Sequence, residues 1–267
     1  MPRFRVALFL TAGLVAGPVL LSGGQAEDAK AGWVTVKGQV TFAKAPEAKP
    51  VDVQVDKAHC LSKGKLFYET IQVKKESKGL KNVVVWIRPD TKDRKDVFPK
   101  NKIKPGLVDA KPVTHVIDQP CCQFIPRILA VRAGDGLEVK NSSPVPHNIN
   151  YKGDNAFNVT VPAGMSHKMA QPFTPSAVPV PFECSIHPWM NGRIRVFEHP
   201  YFAVTDEDGK FEIKDVPAGD WRIVYWHEEG FHKGRDGILG FPVAVAGATT
   251  ELKPLEYELP PVNPPAK

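Results

Sequence analysis

The stretch "ECSIHPWMN", residues 183–191, places Cys184, His187 and Met190 three residues apart. A thiol, an imidazole and a thioether are donors for a soft or borderline metal. With 4 Cys, 8 His and 4 Met among 267 residues, chance would give some Cys a His three on and a Met six on at a frequency of about 0.002, so accident explains it poorly. Core packing is the plainer alternative, because Cys and Met both fill gaps well. The stretch "NSSPVPHNIN", residues 141–150, tips the balance: it sets His147 after a turn-rich polar run and just before a strand, 37 residues ahead of Cys184. That interval spans a few strands of a sandwich.

His147, Cys184 and His187 form a trigonal His₂Cys set, with Met190 as a weak axial donor. This is the ligand set of a type 1, or blue, copper site, so one copper ion is the expected cofactor. Thiolate and thioether favour Cu(I) and imidazole serves both oxidation states. A geometry between the two preferences leaves little to move when an electron arrives.

The rest of the chain reads as all-β. Its 26 prolines and 21 glycines are scattered, and no long segment carries a 3.6-residue apolar rhythm. Short alternating runs dominate instead. "WVTVKGQVTF" (33–42) puts Val34, Val36, Val40 and Phe42 on one face; "NVVVWI" (82–87) is apolar on both, as in a central strand; "WRIVYWH" (221–227) alternates Trp221, Ile223 and Tyr225. A sandwich or barrel is the expected class.

At the start, Arg3 and Arg5 precede an apolar run broken by Gly13, Gly17 and Pro18, and Gly24 and Ala26 supply small residues. This order reads as an export signal cleaved after residue 26, leaving a soluble, periplasmic or otherwise exported chain with no stable membrane span. Cleavage removes two arginines and no acids, lowering the formal charge from +6 to +4. So mild a balance gives no argument for nucleic acid. Residues 88–112, rich in Lys and Pro, read as a long surface connection, and "LPPVNPPAK" (259–267) as an extended tail.

The ligand stretches also carry a resemblance. "CSIHPWMNG" (184–192) resembles the copper loop of the amicyanin-like, short-loop cupredoxins, and "PVPHNIN" (144–150) resembles their upstream histidine segment. "CQFIPRILAVRAGDGLEVKNSSPVPHN" (122–148) is similar to the opening strands of cupredoxins generally. The resemblance covers residues 113–197 and implies a Greek-key sandwich holding copper on His147, Cys184, His187 and Met190. It also implies that Asn148 ties the two ligand loops together near the sulfur. Pro175, Pro179 and Pro181 depart from it, and since proline cannot donate to a ladder, that strand is expected at an edge or irregular.

The flanks resemble something else. "WVTVKGQVTF" and "NVVVWIRP" (82–89) look like the opening half of a carboxypeptidase-regulatory-like, transthyretin-like sandwich, and "VTDEDGKFEIKDVPAGDWRIVYWH" (204–227) like its closing half. The expected organisation is a signal at 1–26, the first part of this sandwich and a linker at 27–112, the cupredoxin at 113–197, the second part of the sandwich at 198–259, and a tail at 260–267. Exported proteins of the methylamine-utilisation type have a similar architecture. "DEDG" (206–209) reads as a hairpin turn, since a calcium loop starting at Asp206 would want Glu where Pro217 stands.

Three further cysteines are expected to supply one disulfide, from Cys60 to Cys121 or Cys122, with Cys122 favoured and one thiol left over. A second copper site on His59, Cys60, Cys121 and Cys122 is the competing use. His115, His167, His199, His227 and His232 read as strand-end or surface residues.

These features favour a single-electron carrier working with a redox partner such as a c-type cytochrome or a periplasmic dehydrogenase, with transfer through an exposed edge of His187. The alternative is a copper-handling or partner-binding module in which copper is stored or structural. A copper enzyme is disfavoured. The sequence has no His-x-His pair or His-Cys-His run for a second centre, and one cysteine in the loop is too few for a dinuclear one.

Overall fold

A computed structural model describes residues 32–43, 45–94 and 97–259. The expected export signal at 1–26 and the tail at 260–267 lie outside these residues. Among those described, regular structure is nearly all β, and no helix is long and apolar enough to cross a membrane.

β1 (Trp33–Thr41) alternates along its length, with Val34, Val36 and Val40 buried. β2 (Val84–Pro89) is buried on both faces. Eight strands follow: β3 (Thr114–Asp118), β4 (Ile128–Arg132), β5 (Gly136–Lys140), β6 (His147–Tyr151), β7 (Phe157–Val161), β8 (Ser166–Lys168), β9 (Val180–Glu183) and β10 (Asn191–Phe197). The chain then forms β11 (Phe202–Val204), β12 (Lys210–Pro217), β13 (Gly219–His227), β14 (Gly230–Phe231), β15 (Phe241–Val245), β16 (Thr249–Glu251) and β17 (Leu255–Glu256).

Pairing sorts the strands into an outer and an inner body. In the outer one, β1 lies between β12 and β16 and also carries β17; β2 lies between β11 and β13, and β13 also carries β14 and β15. Each outer sheet therefore joins a strand from before residue 113 to strands from after residue 197. Val36, Val85, Ile87, Ile213 and Ile223 belong to the core they enclose. In the inner body, sheets β4-β10-β9-β6-β7 and β3-β5-β8 share a core that includes Ile117, Val139, Ile149, Phe182 and Ile194.

The two bodies are welded together. The second faces of β2 and β13 present Val84, Trp86, Val224 and Trp226 to Ile128 and Phe197 of the inner body. Fully burying such side chains is worth roughly 1.5–3 kcal/mol each. Val53 and Cys60 lie in the inner core although both precede residue 113. The stretch between β1 and β2 thus leaves the outer body to pack on the inner one.

Two local expectations need correction. The long connection is pinned, because Phe98 stacks on Trp221 at 4.7 Å and Ile103 is buried in the outer core. The proline-bearing strand β9 lies inside its sheet, between β10 and β6. The paired residues of β6 reach only Phe182 and Glu183, and just past them Lys152 N donates to the Pro181 carbonyl at 3.2 Å, so on that side Pro181 serves as an acceptor, which its ring allows.

The "DEDG" stretch closes as a tight turn, Asp206 Oδ1 accepting from the amides of Asp208 and Lys210 and Gly209 taking φ +71°. The strands it joins are not the expected hairpin: β11 pairs β2 and β12 pairs β1, so the turn crosses between the two outer sheets. The turn lies on Gly79, where an added Cβ would stand 2.1 Å from the Asp208 carbonyl carbon. Gly79→Ala is therefore expected to destabilise the chain by about 1–3 kcal/mol, since backbone cannot step aside as a side chain can. An unchanged urea midpoint for the metal-free variant would contradict this packing.

Candidate metal centre

The polar run before β6 is built as a rigid platform. Asn141 Nδ2 donates to the Val145 and Val161 carbonyls, and its Oδ1 accepts from the Ser143 amide and hydroxyl. That delivers His147, the first residue of β6, to the interior with no exposed surface. The second loop closes on itself between β9 and β10: Cys184 N donates to Met190 O at 3.0 Å, and Met190 N to His187 O at 2.9 Å. Three-residue spacing is what lets this small ring turn its side chains inward.

The donors converge. His147 Nδ1 and His187 Nδ1 are 3.0 Å apart, and Cys184 Sγ is 3.8 Å from His187 Nδ1. One donor atom from each of the three residues lies within 4.8 Å of the others. Cys184 and Met190 are both buried in the inner core, 2% exposed. The sulfur also accepts from the Asn148 amide at 3.3 Å and the His187 amide at 3.4 Å, which hold it in place. Asn148 bridges the loops, its Oδ1 accepting from Ser185 N at 3.1 Å while its Nδ2 donates to Asn158 Oδ1 and Val159 O. Beneath it, buried Gln119 donates to the Asn148 carbonyl at 3.1 Å.

Burial first, then the neighbouring His187 and His59, push His147 down to about 4. Burial also lowers His187, opposed by its hydrogen bond to Asp56. Both rings are thus neutral at neutral pH, with a lone pair to offer. Two imidazoles and a thiol sharing one dry point are a fit donor set for copper.

No protein-family model matches the chain, and no curated protein matches it. Solved structures do. A purple cupredoxin from Nitrosopumilus maritimus is 23% identical over 31% of this chain and 98% of its own, with a TM-score of 0.27. A reduced amicyanin mutant is 17% identical over 42% of this chain and 98% of its own, with a TM-score of 0.28. A copper-containing nitrite reductase from Thermus scotoductus SA-01 is 22% identical over 42% of this chain but 25% of its own, with a TM-score of 0.29. The structural neighbours are cupredoxins. More than half of the chain lies outside each of these matches.

The exposed His187 edge expected from the sequence is absent. His187 is fully buried, and its Nε2 lies 3.0 Å from Asp56 Oδ2. The cause is the disulfide, which forms between Cys60 and Cys122 and holds the segment carrying Asp56 over the ligand loop. Because both sulfurs are bonded to each other, they are not thiolate ligands, and the competing second copper site falls away. Trp189 is anchored to the same bridge, its Nε1 donating to Cys122 O at 3.1 Å. Pro188 is exposed and Trp189 half-buried.

Asp56 and Gln119 went unread in the sequence. The signal for Asp56 was its place four residues before Cys60: any bridge from Cys60 to residue 121 or 122 brings "DKAHC" to the inner body. His199, His227 and His232 are buried rather than superficial, each packed against aromatic rings, His199 on Phe98 and the other two on Tyr257. His115 bonds Asp135 at 2.9 Å, and the His167 ring contacts Phe157.

Proposed function

We propose that this chain is an exported type 1 copper protein that carries single electrons between redox partners and is not itself an enzyme. The observation that carries the reading is the buried convergence of His147 Nδ1, His187 Nδ1 and Cys184 Sγ, with two amides aimed at the sulfur. Met190 completes the set from the same closed loop. When bound there, copper supplies a one-electron Cu(II)/Cu(I) couple. The chain's own part is to hold the donors still: Asn141, Asn148 and the loop hydrogen bonds fix their positions, and burial keeps water out. Little then has to reorganise with each change of charge.

The Cys60–Cys122 bridge fits an oxidising compartment, as export past residue 26 would provide. For this reading a c-type cytochrome or periplasmic dehydrogenase is the class of redox partner. One observation favours the copper-handling reading: the His187 edge is covered by Asp56. Reconstitution with Cu(II) separates the two. A carrier is expected to show intense sulfur-to-copper absorption in the visible, a reversible couple and fast self-exchange. A coloured protein without self-exchange would hand the function to copper storage, and a colourless one would end the type 1 reading.

A further inference from the structure

An imidazole has two nitrogens, and at His187 each has a distinct neighbour. Nδ1 faces His147 Nδ1 and Cys184 Sγ, whereas Nε2 faces the Asp56 carboxylate at 3.0 Å. A carboxylate only accepts, so the ring's proton belongs on Nε2, which leaves the Nδ1 lone pair directed into the donor cluster.

Asp56 stands 131 residues from His187 in sequence and outside the 113–197 segment. Its backbone is left-handed, φ 52° and ψ 35°, a region that Asp and Asn tolerate better than most residues. The Asp56 carbonyl accepts from the His59 and Cys60 amides at 3.0 and 2.9 Å, opening the short helix Lys57–Cys60. That helix ends in the Cys60–Cys122 bridge, whose sulfurs lie within 4.8 Å of a His187 ring nitrogen. An unusual backbone held by a covalent staple beside a candidate metal centre marks a built contact.

We propose that Asp56 is a positioning residue of the metal centre. It fixes the Nε2–H form of His187, strengthens the ring's donation through Nδ1, and closes the His187 edge to docking. Carboxylate partners of metal-bound histidines act in this way in many metalloproteins, and losing one costs roughly 10–100-fold in affinity. The inference rests on a metal occupying the His147, Cys184 and His187 set. It adds that a stretch outside residues 113–197 contributes to the centre, since Asp56 comes from between β1 and β2, where the chain packs on the inner body. Stronger donation favours the more highly charged Cu(II), so Asp56 lowers the reduction potential.

Asp56→Ala and Asp56→Asn test it in the mature chain with the bridge intact; Asn keeps an acceptor and tolerates the left-handed backbone. Dissociation constants for Cu(II) and Zn(II), measured by competition, are expected to rise about 10–100-fold in Asp56→Ala and by less in Asp56→Asn. The copper potential is expected to rise in the same order. In the metal-free wild type, nitrogen NMR of the ring is expected to place the His187 proton on Nε2. Unchanged affinities for both metals in both variants, or a wild-type proton on Nδ1, would overturn the proposal. A wild type that binds both metals yet shows no charge-transfer absorption rejects the type 1 reading alone, because the Zn(II) comparison still decides for or against Asp56.

Discussion

Cys184→Ser is expected to abolish the visible absorption of the copper-loaded protein completely. The band of a type 1 centre arises from charge transfer out of a thiolate, and a serine hydroxyl neither ionises in this range nor offers a soft, high-lying donor orbital. The loss should be total. Affinity for Cu(II) should fall by more than the roughly 10–100-fold typical of an outer partner, because a ligand is removed outright. The fold, by contrast, has little reason to respond. Serine is slightly smaller, and its oxygen can still accept from Asn148 N and His187 N, which now bond the sulfur at 3.3 and 3.4 Å. A urea midpoint within about 1 kcal/mol of wild type is the control that separates loss of ligand from loss of structure. A variant with an unchanged spectrum would remove Cys184 from the metal set.

The sequence was legible where chemistry is local. Residues three apart on one loop, and alternation along "WVTVKGQVTF", are properties of a few neighbouring positions, and they survive folding as Cys184–Met190 and β1. What it hid were meetings between distant segments. Asp56 and His187 are 131 residues apart, and their contact accompanies a bridge from Cys60 to Cys122 that joins two distant segments. Burial of His187 beneath the bridged segment reversed the expectation of an open edge. Pro181 shows the same limit at shorter range. Its missing amide forbids donating to a ladder, but only the register of β6 against β9 reveals that Pro181 is used there as an acceptor, from Lys152 N.

Arg127→Ala is expected to destabilise the whole chain by about 3–5 kcal/mol, because it strands a buried carboxylate. Arg127 Nε and Nη2 each donate to Glu228 at 2.8 Å, and Nη1 donates to the Asn191 carbonyl at 2.8 Å. The pair is well shielded, with side chains 11% and 5% exposed, so solvent screens it little. Glu228 follows β13 of the outer body, whereas Asn191 follows Met190 in the ligand loop. One guanidinium therefore ties the outer sandwich to the loop that holds the metal set. Removing it leaves Glu228 charged and dry, and frees the first residue of β10. Replacing both partners tests the cause: Arg127→Met with Glu228→Gln should recover most of the loss, because the uncompensated charge is gone while the volume is kept. Urea midpoints of the two single variants and the double variant give the coupling directly. If Arg127→Ala costs less than about 1 kcal/mol, the pair behaves as a surface ion pair and the proposed tie between the two bodies is wrong.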